Sequence, residues 1–319
     1  MIVTHKLEFA LVGALSFIFT SAHADTFGNG ANSFDIAFVP IGNAGNINDT
    51  IKPRGGPELY FGAVPYNYNI GTFAISQDQM NQAAASGFAD ATAGHWTGSL
   101  PVATISWYQA AAFVNWLNTS TGHVAAYNFD AQGNMLLWSP SQAWQQGGEN
   151  LFRNKDTYYF LPSENEYYKA AWYDPNKAGG PGYWLYSTGS NQAPQSVPRG
   201  TGANTAVYMN NGEAGPAAVN NAGGLSPYGT MGQGGNIYEW VESAFDGGND
   251  VASETRTARA GAFNFSQVVL QSSERSEFDP SYSLGSTIGF RVASVPEPSS
   301  SVLMIGAGLT LLPRRRRNF

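Results

Sequence analysis

The chain has 319 residues, only 12% of them charged, and Asp and Glu outnumber Lys and Arg by 23 to 16. An acidic balance of this kind excludes nucleic acid and an anionic membrane surface as natural partners. The absence of cysteine excludes disulfide staples and every thiol mechanism.

In chain order, residues 1–24 read as a secretory signal. His5 and Lys6 make a weakly basic start, Phe9 to Phe19 is apolar, and Ala22-His23-Ala24 is an A-x-A site. Cleavage after Ala24 gives a mature start at Asp25. The alternative, a membrane anchor, is opposed by length, because a spanning helix needs roughly 20 apolar residues. With residues 1–24 and 296–319 set aside, about 270 residues remain, ample for one domain with its own core. Without Lys6, Glu8, Glu297 and the four terminal arginines, that domain keeps 11 basic and 21 acidic residues, a net charge of −10. His5 and His23 leave with the signal. Only His95 and His123 remain, too few for a three-histidine metal site.

Within the domain, Phe34–Val39, Leu59–Phe61 and Tyr68–Ile70 are expected as strands. Three helices are expected from capping boxes, Ser76 with Gln79, Ser106 with Gln109 and Ser163 with Glu166. Trp107, Ala110, Ala111, Val114 and Leu117 then share one face of the second helix, and Tyr167, Ala170 and Ala171 one face of the third. Asn176 to Gly235 is rich in Gly, Asn, Pro and Tyr and offers no helix. A long irregular segment in a compact domain points to function or to a ligand. Short strands are expected near Ile237–Val241, Ala258–Phe263 and Gly289–Ala293.

The chain closes on Val295-Pro296-Glu297-Pro298, a small apolar run from Ser299 to Leu312, and Arg314, Arg315, Arg316 and Arg317. Four arginines resist translocation and should stay cytoplasmic while the domain lies outside. A nucleic-acid-binding or lipid-binding tail is the alternative, opposed by the apolar run directly before the arginines. This order resembles the PEP-CTERM sorting signal. The resemblance implies an exosortase-type sorting enzyme as partner, transient anchoring by the C-terminal segment, and a cell-surface or extracellular-matrix location in a bacterium that makes extracellular polysaccharide.

Four segments of the domain resemble another family. Pro101 to Ala110 (PVATISWYQA) is similar to a P-V-x-x-V-[ST]-W-x-x-A helix start, and Phe160 to Tyr167 (FLPSENEY) to R-L-P-T-E-A-E-W. Gly235 to Trp240 (GNIYEW) is similar to G-N-V-W-E-W, and Ile288 to Val292 (IGFRV) to a closing G-F-R-[VC]. Their order and type resemble the formylglycine-generating enzyme family, the sulfatase-modifying factor domain. The resemblance implies an α+β, loop-rich, C-type-lectin-like fold in a single domain over residues 25–295. It also implies a copper-binding cysteine pair after the strand near Arg259. Here that stretch, Asn264 to Arg275, holds Phe265, Val268, Val269 and Leu270 and no cysteine. Formylglycine generation is therefore rejected and no copper is expected. A histidine-iron branch of the family is unmatched as well, so no iron is expected.

The resemblance further implies calcium, held by Asn236, the Ile237 carbonyl and Glu239, with a second site at Asn204. Calcium takes six to eight oxygen ligands in tolerant geometry. The same residues admit another reading, in which Asn236 caps a turn and Glu239 pairs with an arginine. Arg291 is expected as an ion-pair residue, and Glu164 and Glu166 as capping residues pointing to different faces. Gly232 to Gly235 is expected as a backbone turn. Trp96, Trp138, Trp144 and Trp184 either plug the loop-rich core or stack on sugars. The function expected is a non-catalytic surface or matrix protein that binds polysaccharide or surface partners, with membrane contact only through its two ends. The alternative is a metal-dependent oxidoreductase of the same superfamily with altered chemistry.

Overall fold

Three serines set the helices. In the computed structural model, which describes residues 22–91, 94–209, 214–283 and 285–296, α1 (Gln77–Ala85), α2 (Trp107–Ser120) and α3 (Glu164–Trp172) start after Ser76, Ser106 and Ser163. Each serine hydroxyl accepts the third amide of its helix, and Gln79, Gln109 or Glu166 reaches back. The apolar run Phe9 to Phe19 and the tail residues Glu297, Pro298 and Arg314 to Arg317 lie outside the described residues. Among the described residues no helix is long and apolar enough to cross a membrane.

α2 buries the expected face, and Phe113 and Asn118 with it. Its start is stapled to the strand Tyr238–Ala244 by two indoles. Trp107 Nε1 donates to the Val241 carbonyl and Trp240 Nε1 to the Ile105 carbonyl, both at 2.9 Å. Both rings are fully buried, so each brings a large apolar area into the core with its polar handle satisfied.

Two sheets flank this core. The first has the order His23–Phe27, Phe34–Ile41, Tyr68–Gly71, Ala293–Ser294, Tyr159–Phe160, antiparallel throughout. It curls until its outer strands meet. The Tyr159 hydroxyl donates to Asp25 Oδ2 at 2.9 Å, and the Tyr159 ring sits edge-on to Phe27. Ala22 and Ala24, where cleavage is expected, are exposed at the start of this sheet. Cleavage there would leave Asp25, Thr26 and Phe27 paired with Ile36, Asp35 and Phe34. The second sheet runs Ser276–Phe278, Arg256–Arg259, Tyr238–Ala244, Ile288–Phe290, with only the last pair parallel.

Three expected strands differ in outcome. Leu59–Phe61 forms none; Phe61 is instead a buried plug against Tyr168 and Trp172. Ala258–Phe263 ends at Arg259, because Ala260 and Gly261 take left-handed φ values of 90° and 72°. Gly289–Ala293 is two strands, since the chain passes at Arg291-Val292 from the second sheet to the first. Among its described residues the irregular segment from Asn176 to Gly235 has only two-residue strands and isolated bridges. Side chains hold it, as where Ser226 Oγ donates to the Ala170 carbonyl at 3.0 Å and the Tyr208 hydroxyl to the Pro194 carbonyl at 2.6 Å.

Candidate functional site

The first turn of α3 organises the interior charges. Glu164 and Glu166 are two residues apart and face different arginines, as their spacing requires. Glu166 takes Arg153 Nη1 at 3.0 Å and Nη2 at 2.8 Å, the Tyr66 hydroxyl at 2.7 Å and the Ser163 amide at 2.6 Å. The same guanidinium reaches Glu242 through Nε at 2.8 Å and Nη2 at 2.7 Å, and lies 3.8 Å from the Phe160 ring centre. Glu242 also accepts from the Tyr127 hydroxyl at 3.0 Å and Asn150 Nδ2 at 2.5 Å. Burial works against ionisation at both carboxyls. At Glu166 the Arg153 guanidinium and the hydrogen bonds outweigh it and hold the carboxyl below the usual range. At Glu242 burial wins and the carboxyl is pushed up, Glu166 adding to the effect.

One arginine thus serves two glutamates, while Glu164 is served by two arginines. Arg259 reaches it at 2.5 Å and Arg275 at 2.7 Å. A third buried group joins Glu239 to Arg291, at 2.5 and 2.7 Å. Arg291 also donates to the carbonyls of Gly71 and Met231, each at 2.9 Å, and so ties the first sheet to the irregular segment. Arg291 therefore has the ion-pair role expected of it.

The residues expected to hold calcium are engaged with protein. Glu239 directs both oxygens at Arg291. Asn236 directs both ends of its amide at the Ala217 backbone, at 2.8 and 3.2 Å. Ile237 is fully buried beside Ala74 and Ala103. Asn204 sits in a separate turn, its side-chain oxygen accepting from the Thr188 hydroxyl at 2.8 Å. This donor set does not fit a calcium ion, since its only carboxylate is neutralised and its amides are used. The Gly235-Asn236 pair explains itself as a turn. Both are left-handed, and a Cβ on Gly235 would lie 2.6 Å from the Val207 carbonyl oxygen.

Copper fits no better in a chain without cysteine. Among the described residues no three His, Cys, Asp or Glu side chains converge on a metal position. His95 lies edge-on to Trp96, and His123 stacks on Tyr158.

The stretch from Asn264 to Arg275 holds no cysteine where a pair is implied, and Phe265, Val268, Val269 and Leu270 stand there among polar residues. Phe265 lies edge-on to Tyr238, 5.3 Å between ring centres, and its carbonyl accepts the Met209 amide at 2.9 Å. Leu270 is buried with Tyr186, Ala206 and Tyr208.

The four loop tryptophans are structural at their nitrogens. Trp96, Trp138 and Trp144 donate to the carbonyls of Ser286, Ala126 and Gln146, and Trp184 to Asp174, all at 2.8–3.0 Å. Trp144 is buried and the other three are half-buried. A trough of about 770 Å³ opens instead on the exposed side of α2, against the turn after Asn128–Phe129. Neither this trough nor the Arg153 cluster stands out in the sequence. The available signal for Arg153 is a lone arginine directly after Leu151 and Phe152 in a short run, Asn150–Asn154.

Lys169 is fully buried in the last turn of α3, and its Nζ donates to the Asn43 carbonyl at 3.0 Å. Burial lowers its pKa to about 8 from an ordinary 10.5. Between these values the unfolded chain holds the proton and the folded chain releases it, so stability rises with pH. Denaturation of wild type and Lys169→Met between pH 8 and 9.5, below the tyrosine range, should show a positive slope in wild type that the variant lacks. The slope should amount to on the order of 1–2 kcal/mol over the window. Equal slopes would mean that Lys169 titrates normally.

Comparison with known proteins follows the same lines. The model of the sulfatase-modifying factor enzyme 1-like domain matches residues 40–295. Among solved structures, Treponema denticola variable protein 1 is similar at 20% identity and a TM-score of 0.59, over 86% of this chain and 99% of that one. CarF is similar at 18% and 0.55, over 82% and 99%. PvdO from Pseudomonas aeruginosa is similar at 17% and 0.51, over 85% and 98%. At these identities the likeness is one of fold. No curated protein matches the chain.

Proposed function

We propose, from the premise that the chain belongs to the sulfatase-modifying factor enzyme 1-like family, that it is a non-catalytic member that binds its partner without transforming it. The observation that carries this reading is the segment Asn264 to Arg275, which has Phe265, Val268, Val269 and Leu270 but no thiol, in a chain without cysteine. A thiolate site cannot be rebuilt from phenyl and isopropyl groups. The buried glutamates and arginines that could suggest chemistry neutralise one another inside the fold. The two ends of the chain supply the setting: an exported protein, sorted through Val295-Pro296-Glu297-Pro298 and the four arginines to the cell surface or matrix, with extracellular polysaccharide as its ligand.

The test is retention of the purified protein on the host's own extracellular polysaccharide, with calcium and with chelator. Saturable retention that is equal in both conditions is the expected result. Absence of retention in both would overturn the polysaccharide ligand. Copper-dependent conversion of a cysteine peptide to an aldehyde would overturn the non-catalytic reading.

A further inference from the structure

We infer that the trough along the exposed side of α2 is the carbohydrate subsite, and that it takes a neutral, hydroxyl-rich sugar chain. The inference rests on the binding function proposed above and gives it a place and a ligand class. α2 presents Tyr108, Ala112 and Asn115 at i, i+4 and i+7 toward solvent, while its opposite face is buried in the core. Phe129 and the turn residues up to Gly133 form the facing wall, and Asp90 closes one end. A volume of about 770 Å³ lies within the range of small-ligand sites, about 300–1,000 Å³.

The polar groups of this trough divide into two sets. Asp130 and Asn115 are committed to the frame. Asp130 accepts the amides of Gln132 and Asn134 and the Asn134 side chain, at 2.8–2.9 Å. Asn115 brackets the Tyr127 backbone at 2.8 Å on both sides. The Asp130 bonds fix the turn itself, and the Asn115 bonds tie the chain just before it to α2. The second set is uncommitted. Among the described residues the Tyr108 hydroxyl, the Gln109 amide nitrogen, the Gln132 side-chain amide and the Asp90 carboxylate have no protein partner, although each lines the trough. The cleft above Arg153 is the reverse case, since its floor is bonded internally.

Ligand chemistry follows from three features. Tyr108 and Phe129 are half-buried rings set edge-to-face, 6.4 Å between centres, which fixes an apolar surface for the C–H face of a sugar. The uncommitted hydroxyl, amides and carboxylate supply donors and acceptors for sugar hydroxyls in a mixed array. No lysine or arginine lines the trough and two carboxylates do, so uronate, sulfate and phosphate groups are disfavoured.

Affinity electrophoresis of the purified protein in gels containing dextran, hydroxyethyl cellulose or galactomannan, with alginate as the anionic comparison, tests the assignment. At least one neutral polymer is expected to retard the protein, and alginate is not. Tyr108→Leu, which keeps apolar bulk but removes the ring, should weaken retardation about tenfold. Gln132→Ala, on an exposed turn away from the core, should weaken it about threefold and guards against a folding artefact in the first variant. Retardation unchanged in both variants would overturn the trough while leaving the binding function standing. Retardation by alginate alone would overturn the ligand class. Absence of retardation by every polymer would overturn the binding function and the subsite together.

Discussion

Arg153→Met is expected to lower the unfolding free energy by about 3–5 kcal/mol, because it leaves two buried carboxylates without their cation. In a domain of this size that is a fall in Tm of roughly 10 °C. The guanidinium is 1% exposed and both partner glutamates are fully buried, so water cannot take its place. The remaining bonds from Tyr66, Tyr127 and Asn150 satisfy the oxygens but cannot neutralise them. The Arg153→Met/Glu242→Gln double variant should recover a substantial part of the loss, since one of the two stranded charges is gone. Chemical denaturation of the four proteins of this cycle measures both effects. A loss below about 1 kcal/mol in the single variant would show that the cluster is far better screened than its burial implies.

Glu239→Gln is expected to cost a similar amount, about 3–5 kcal/mol, by leaving Arg291 buried against an uncharged amide. The cost should be the same with millimolar calcium and with chelator. A ligand that binds only the folded state raises stability by RT ln(1 + [L]/Kd), so even weak calcium at this residue would show as a concentration-dependent Tm. The decisive comparison is the wild type alone. A constant Tm across a calcium titration agrees with the carboxylate being committed to Arg291. A rise of several degrees that disappears in Glu239→Gln would return the residue to a metal site and require the ion pair to open.

Much of the fold was legible because it is written in short-range chemistry. Each helix start is declared by a serine and a Gln or Glu three residues on, and all three formed the reciprocal bonds that spacing implies. The ion-pair role of Arg291 was legible for a related reason, since few roles suit an arginine in an apolar run such as Ile288 to Val292. What stayed hidden depends on contacts far apart in the chain. Arg153 meets Glu242 across 89 positions, and nothing local marks either residue. The strand Tyr238–Ala244 extends beyond Val241 because Glu242 and Ser243 find buried partners, which its polar sequence conceals. Leu59–Phe61 has strand-like composition, yet Phe61 packs into the cluster of Tyr168 and Trp172 instead of pairing its backbone in a sheet. The candidate trough is assembled by a helix face, a hairpin turn and Asp90, three pieces whose meeting no single segment announces.

The place of Ala293–Ser294 in the first sheet carries a mechanical consequence. That strand lies between Tyr68–Gly71 and Tyr159–Phe160, and the Val295 amide adds one more bond, to the Tyr158 carbonyl. A pull applied at Pro296 along the strand therefore shears two ladders at once, with Arg291 and its partners Glu239, Gly71 and Met231 bracing the chain just upstream. A pull applied at Asp25 loads a strand with one ladder only, to Phe34–Ile41. The C-terminal end of the domain is thus held between two neighbouring strands, and the N-terminal end against one. A molecule held by the former could resist drag on a bound polymer without unfolding first.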